Sequence, residues 1–258
     1  MKFETIRRQV EGVPFIHPVN ARRLYDWVLQ HSPRRILELG VAHGTATCYM
    51  AAALDELGAG SITAVDLVAS QHHYVPSPEQ QLTRCGLSRY VQLARYETGY
   101  SWFLHDEIKR QTANDVCEPN YDFCVLDGSK NWTIDGGAFF LVDKLLRPGA
   151  VLVLDDYSWT YALADRRRDS TDGVSHRELS SDERKTPAVR EVFELLVKQH
   201  PDYAEFELYP VEDWAVARKV PGDQKRYQVH YGAGPVGVQD MLRDAVMRLI
   251  RAAVFRPR

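Results

Sequence analysis

Gly149-Ala-Val-Leu-Val-Leu-Asp155-Asp156, with its shorter counterpart Tyr121-Asp-Phe-Cys-Val-Leu-Asp127, decides the fold. Each is a short apolar, partly β-branched run that stops at an acidic residue. Such runs, bounded by turn residues, read as strands of a parallel sheet buried on both faces. Open α/β sheets bind ligands in the crevice outside the carboxyl ends of their strands. Asp127, Asp155 and Asp156 would therefore meet there and repel one another. A hard divalent cation removes that cost, and Mg²⁺ favours such an oxygen-rich setting. Aspartates also cap helices and open turns. The chemically capable neighbours at both strand ends favour the metal reading.

Outward from these runs, strands and helices alternate through most of the chain. The pattern predicts a helix over Asn20–Gln30, a first strand at Ile36–Leu39 and a helix from Gly44 to Leu57. A second strand at Ile62–Val65 stops at Asp66. After an exposed loop, His72–Pro78, a helix runs to Cys85. Strands at Val91–Ala94 and Phe123–Leu126 flank a helix over Tyr100–Gln111. Gly137–Leu146 reads as helix, and Arg147-Pro-Gly149 turns the chain into Val151–Leu154. Repeated βα units imply a doubly wound, mostly parallel sheet. An apolar face of Val189, Val192, Phe193, Leu196 and Val197 marks a helix over Pro187–His200. Phe206–Tyr209 and Trp214–Ala217 complete seven strands as an antiparallel edge hairpin.

Two segments break this rhythm. Ser158–Lys185 is polar and contains Arg166-Arg167-Arg168, which suits either a solvated loop or a substrate lid leaving the carboxylate-bearing strand. Residues 221–258 form a C-terminal extension beyond a domain of residues 1–220. There Met241, Leu242, Ala245, Val246, Leu249, Ile250 and Ala253 make a helical stripe. It reads as packing on its own domain or on a second copy in a homo-oligomer, ahead of a membrane surface.

The 258 residues suit one α/β domain with extensions, and 45% hydrophobic residues supply an ordinary core. A net charge of −3 gives no global reason to expect nucleic acid. Cys48, Cys85, Cys117 and Cys124 lack metal or redox spacing, and Cys48 and Cys124 read as small core residues. No signal peptide or membrane-length apolar stretch is visible, so a reduced cytoplasm is the default expectation.

Ile36-Leu-Glu38-Leu-Gly40-Val-Ala42-His43-Gly44-Thr45 is a strand, a glycine turn and a helix start. Glycine lets the backbone approach a ligand, and a helix N-terminus favours an anion. The dinucleotide fingerprint needs glycine where Ala42 stands, which argues against an NAD-dependent oxidoreductase. Glu38 ahead of the turn suits a ligand with a compact carboxylate and a cationic head. Asp66, at the next strand end, is placed to accept hydrogen bonds from ribose hydroxyls. His17, His43, His72 and His73 have no metal spacing, and only His43 lies inside the turn.

On these motifs, with Asp127-Gly-Ser-Lys130 and Leu146-Arg-Pro-Gly-Ala-Val-Leu-Val-Leu-Asp155-Asp156-Tyr157, the chain resembles the class I S-adenosylmethionine-dependent methyltransferases. Among them it is similar to the metal-dependent O-methyltransferases, including catechol O-methyltransferase and the antibiotic and macrolide-sugar group. The resemblance runs from Asn20 to Ala217 and implies a Rossmann-like methyltransferase fold. It also implies a Mg²⁺ ion on Asp127, Asp155 and Asp156. The donor would pass Glu38, Gly40, Ala42, Gly44 and Thr45, with its ribose on Asp66. Its adenine would lie near Thr98, Asp127, Gly128 and Ser129. Ala46 stands where the catechol enzymes carry a serine, so Thr45 or Thr47 would supply that hydroxyl.

Lys130 falls where the catechol-type enzymes carry their lysine base, and a nearby cation would depress its pKa toward neutrality. An exposed loop lysine is the plainer alternative. Trp132 and Trp159 stand close to carboxylates, where they would wall an acceptor pocket or join the core. The sequence thus implies an O-methyltransferase for a small hydroxylated molecule such as a sugar, polyketide or catechol-like ring. A nicotinamide oxidoreductase and a non-catalytic donor-binding module are the alternatives.

Overall fold

The structure is a computed structural model that describes residues 2–163 and 177–221. Arg166–Arg168 and the C-terminal stripe lie outside the described residues. In chain order the elements begin with α1 (Lys2–Gln9), α2 (Pro18–His31), β1 (Arg35–Leu39), α3 (Thr45–Leu57) and β2 (Ser61–Leu67). They continue with α4 (Pro78–Arg84), β3 (Val91–Tyr96), α5 (Tyr100–Gln111), a two-residue hairpin β4 (Thr112–Ala113) and β5 (Val116–Cys117), then β6 (Tyr121–Leu126). After these come α6 (Trp132–Leu145), β7 (Leu146–Leu154), α7 (Ser181–Lys185) and α8 (Ala188–Glu191). A π-helical stretch (Val192–Val197), β8 (Tyr203–Tyr209) and β9 (Trp214–Lys219) close the described fold.

Seven strands form one sheet in the order β3-β2-β1-β6-β7-β9-β8. The first five are parallel, and β9 runs antiparallel to both β7 and β8. The final hairpin is therefore antiparallel, as its sequence implies. Its second strand inserts beside β7, so β8 is the edge. Exposed Glu205 and Glu207 on β8 hinder edge-to-edge pairing. The inner strands are apolar because helices cover both faces. The helices α1, α2 and α3 pack on one side, around Leu24, Tyr25, Met50 and Phe123. On the other side α5, α6 and the π-helical stretch enclose Leu104, Phe139, Phe193 and Leu152. Cys48 and Cys124 are core residues, as their apolar surroundings imply.

Some boundaries differ from the sequence pattern. Helix α6 starts at Trp132 rather than Gly137, because the Asn131 side chain accepts from the Thr133 and Ile134 amides and caps it. The Gly136-Gly137 pair lies inside this helix, where Gly136 lets Leu196 pack closely. Arg147-Pro-Gly149 belongs to β7, whose pairing with β6 slips between Tyr121 and Phe123 to absorb it.

Strand order reverses between β1 and β6, because the connections from β1 lead outward to β2 and β3 while β6 and β7 lie on its other side. This is the switch point where ligands bind such sheets. Leu39 pairs with Leu126, and Leu126 with Leu154, so Gly40, Asp127 and Asp155 leave the sheet level with one another. The Asp127 amide donates to Leu39 O (2.9 Å) and the Asp155 amide to Leu126 O (3.1 Å), fixing that alignment.

Candidate functional site

The glycine turn is built to bring two loops into contact. Gly40 has φ +97°, and a Cβ there would collide with the Asp127 backbone carbonyl. Ala42 also adopts a left-handed conformation, φ 49°, which is costly for a residue with a side chain. Asp66 holds the turn in place. Its Oδ2 accepts from the amides of Val41 (3.1 Å) and Ala42 (2.9 Å), and its Oδ1 from that of Leu67 (2.7 Å). Three of a carboxylate's roughly four acceptor positions are thus used before any ribose arrives.

Glu38 is turned into the core, where the Thr47 hydroxyl donates to its Oε2 (2.7 Å). Burial, with smaller repulsion from Asp127 and Asp66, pushes its pKa up to about 8 against the opposing Thr47 hydrogen bond. At neutral pH it is largely the uncharged acid, so it offers little negative charge to a cationic head. Gly44 begins α3 with φ 73°, against Pro78. The Thr45 hydroxyl donates to Pro14 O (3.4 Å) and accepts from Gln81 Nε2 (3.3 Å). His43 is buried, its Nδ1 2.7 Å from Pro76 O and its ring stacked on Phe15. His17, His72, His73 and Thr98 are exposed.

At the other side of the switch point, carboxylate oxygens of Asp127, Asp155 and Asp156 lie within 4.8 Å of one another. The Lys130 ammonium is buried among them, paired with Asp127 and 3.3 Å from Asp156 Oδ2. Lys130 and Asp156 both have left-handed backbones, φ 56° and 60°. Asp155 also accepts a hydrogen bond from the Trp214 indole. Burial raises the Asp155 pKa well above the carboxylate range, and repulsion from Asp127 adds to it.

The expected depression of the Lys130 pKa is not what these protein groups produce. Burial does act to lower it, but attraction to Asp127, Asp155 and Asp156 prevails and raises it above the ordinary lysine value. One ammonium faces three carboxyl groups, and burial favours the protonated form of Asp155; a divalent cation would take the place of that proton.

Gly128 and Ser129 serve the protein's own structure. A Cβ at Gly128 would overlap the Tyr100 ring. Tyr100 Oη receives the Ser129 amide (3.2 Å), lies 2.8 Å from Ser129 Oγ and donates to Asp135. Asp135 in turn accepts from Ser129 Oγ (3.2 Å) and the Asn131 amide (2.8 Å). Tyr100, Asp135 and Trp214 escaped the sequence reading, since each lies outside the motifs it touches. An aspartate in the first turn of a largely apolar helix is the one clue the sequence offers. Trp132 is 45% exposed at the start of α6, whereas Trp159 is half-buried against Tyr161 (4.9 Å between rings).

Residues 37–157 match a family model described as a methyltransferase domain. No curated protein matches the chain. Among solved structures, the chain is similar to the O-methyltransferase TomG from Streptomyces achromogenes, involved in tomaymycin synthesis and solved in complex with SAM. Identity is 18% and the TM-score 0.55, over 85% of this chain and 90% of that one. It is also similar to an O-methyltransferase from Bacillus cereus in complex with SAH, at 19% identity and TM-score 0.56, over 85% and 90% of the two chains. SAH-bound methyltransferase PaMTH1 from Podospora anserina gives 15% identity and TM-score 0.56, over 85% and 86%. At these identities the likeness concerns the fold. No helix among the described residues is long and apolar enough to cross a membrane.

Proposed function

We propose that this chain, a class I S-adenosylmethionine-dependent methyltransferase, moves the donor's methyl group to a hydroxyl oxygen of a small molecule with the help of a divalent cation. The observation that carries the proposal is the trio Asp127, Asp155 and Asp156 closing on Lys130 at the switch point. Its oxygen donors and its uncompensated charge suit Mg²⁺. Such an ion would orient an acceptor hydroxyl and lower its pKa, a contribution of roughly several kcal/mol.

The protein's own groups divide the remaining work. The turn from Gly40 to Thr45 receives the methionine part of the donor, and Asp66 offers its remaining acceptor capacity to the ribose. In-line transfer then forms a bond between the acceptor oxygen and the methyl carbon as the carbon–sulfur bond breaks. The hydroxyl proton passes to Lys130 Nζ. With the carboxylates' charge spent on a divalent cation, burial is the main influence left on Lys130, and burial favours the neutral amine that accepts a proton.

The nicotinamide alternative is disfavoured by Asp66. It occupies the Val41 and Ala42 amides and places a carboxylate at the turn where a pyrophosphate would need donors. Titration calorimetry with S-adenosylhomocysteine, NAD and Mg²⁺ tests the proposal. S-adenosylhomocysteine and Mg²⁺ should bind and NAD should not. Tight NAD binding without S-adenosylhomocysteine binding would overturn the donor assignment, and full methyl transfer in excess chelator would overturn the metal.

A further inference from the structure

We propose that Tyr100 and Asp135 are positioning residues that hold Lys130 in a strained backbone conformation and so keep its ammonium among the three carboxylates. The inference extends the reading of Lys130 given above. A lysine at φ 56° pays a conformational penalty that persists only where the surroundings over-determine it. The residues on either side supply that constraint. The Ser129 amide is held by Tyr100 Oη (3.2 Å), and the Asn131 amide by Asp135 Oδ2 (2.8 Å). The two holders are joined to each other by the Tyr100–Asp135 hydrogen bond, with Ser129 Oγ bridging both.

The two holders are shielded from water and hard to replace. Tyr100 and Asp135 are both buried, and they come from the starts of separate helices, α5 and α6. Gly128 leaves space for the Tyr100 ring, so the chain before Lys130 cannot rise without losing that packing. Burial raises the pKa of the Asp135 carboxyl and of the Tyr100 phenol. Removing the phenol oxygen would leave the half-buried Ser129 amide without its acceptor, and the turn would relax toward an ordinary backbone. Nζ would then swing out of the carboxylates. Neither residue reaches the proposed acceptor; both act through Lys130.

Lysine acylation by an N-hydroxysuccinimide ester, read by mass spectrometry on the full chain without metal, tests this directly. Lys219 is the internal control, since it too is shielded and ion-paired, with Asp143 near the end of α6 far from the turn. In the wild type both lysines should label slowly. In Tyr100→Phe, and independently in Asp135→Asn, Lys130 labelling should rise about tenfold while Lys219 stays unchanged. Mn²⁺ affinity provides a second readout, because withdrawal of the ammonium removes a competing cation. Tyr100→Phe should bind Mn²⁺ about tenfold more tightly, and adding it to Lys130→Met should change nothing further.

Unchanged Lys130 labelling in both folded variants would overturn the inference. So would equal acceleration at Lys130 and Lys219, which would report loosening of the whole fold. If Tyr100→Phe does not fold, Asp135→Asn carries the test, and Ser129→Ala, lacking the bridging hydroxyl, should show a smaller rise at Lys130 alone. A wild type that does not bind Mn²⁺ would count against the metal assignment, while labelling would still decide the clamp.

Discussion

The turn after β1 and the cluster after β6 and β7 lie side by side at the carboxyl ends of the central strands, yet they are held by opposite means. Around Gly40–Thr45 the polar groups largely have partners. Asp66 spends its oxygens on three amides, Glu38 is held as the neutral acid, and Thr45 is bonded to Pro14 and Gln81. Around Asp127 the reverse holds: three carboxylates face a single ammonium, and two of the four residues have left-handed backbones. The first region is a pre-organised turn whose interactions contribute to folding. The second crowds like charges, which raises the Asp155 pKa, onto strained backbone, a combination characteristic of sites maintained for chemistry. Substitutions should therefore separate the two regions, costing stability in one and activity in the other.

The largest effect should come from Lys130→Met, which retains the side chain's bulk and removes the amine. Turnover should fall roughly 10²–10⁴-fold, the usual value of a positioned acid or base, with donor affinity nearly unchanged. The wild-type pH profile should also contain a basic limb that the variant lacks. Near-normal turnover would leave proton removal to water and make Lys130 a counter-ion only.

Asp155→Asn comes next and is the sharper test of the comparison. It keeps an acceptor for the Trp214 indole while removing a buried carboxyl group whose ionised form burial and Asp127 disfavour. Turnover and Mg²⁺ affinity should fall by roughly 10²-fold or more, since a main source of metal attraction is gone. Without metal, thermal denaturation should show a variant about 1 kcal/mol more stable, the kind of exchange found where an active site stores strain. A drop in stability together with activity would make the cluster part of the fold rather than a charge reservoir.

Asp66→Ala should behave in the contrary way. It strips acceptors from the Val41, Ala42 and Leu67 amides and should lower stability by about 1–3 kcal/mol, besides weakening S-adenosylhomocysteine binding. Adenosine, which carries the ribose without the methionine, separates the two contributions. Weakened binding of the methionine-bearing product with adenosine binding unchanged would confine Asp66 to holding the turn.

The contrast between the regions was only half legible in the sequence. Acidic residues at strand ends were visible because the apolar runs before them are unambiguous, and strand adjacency made Asp127 and Asp155 neighbours. What Asp66 bonds to was not visible, because a carboxylate at a strand end looks the same whether it faces ligand or backbone. The pairing of Tyr100 with Ser129 and Asp135 joins residues far apart in the chain through a ring filling the space at Gly128, and no local pattern encodes it. The early start of α6 was hidden for a different reason. Gly136-Gly137 disfavours a helix by intrinsic propensity, and packing against Leu196 overrides it. The hairpin of β4 and β5 has two residues per strand, too few for any periodicity to register.

The smallest effect should be a change of slope rather than of activity. The folded-state pKa of Glu38 is raised to about 8, chiefly by burial, above the ordinary value it has in the unfolded chain. Between the two values the native state binds a proton that the unfolded state has released, so stability falls as pH rises. The contribution is fully present below the unfolded pKa and is lost as pH climbs through about 8. The limiting slope is about 1.4 kcal/mol per pH unit for one proton. Glu38→Gln keeps an acceptor for Thr47 and cannot ionise, so its melting temperature should decline less from pH 5.5 to 8.5 (roughly the span of that window). Asp155 shares the direction of this shift, which is why the difference between wild type and Glu38→Gln, and not the wild-type slope alone, isolates Glu38. Parallel melting curves would mean that Glu38 stays ionised in the folded protein, and the glycine turn would then carry a buried negative charge of its own.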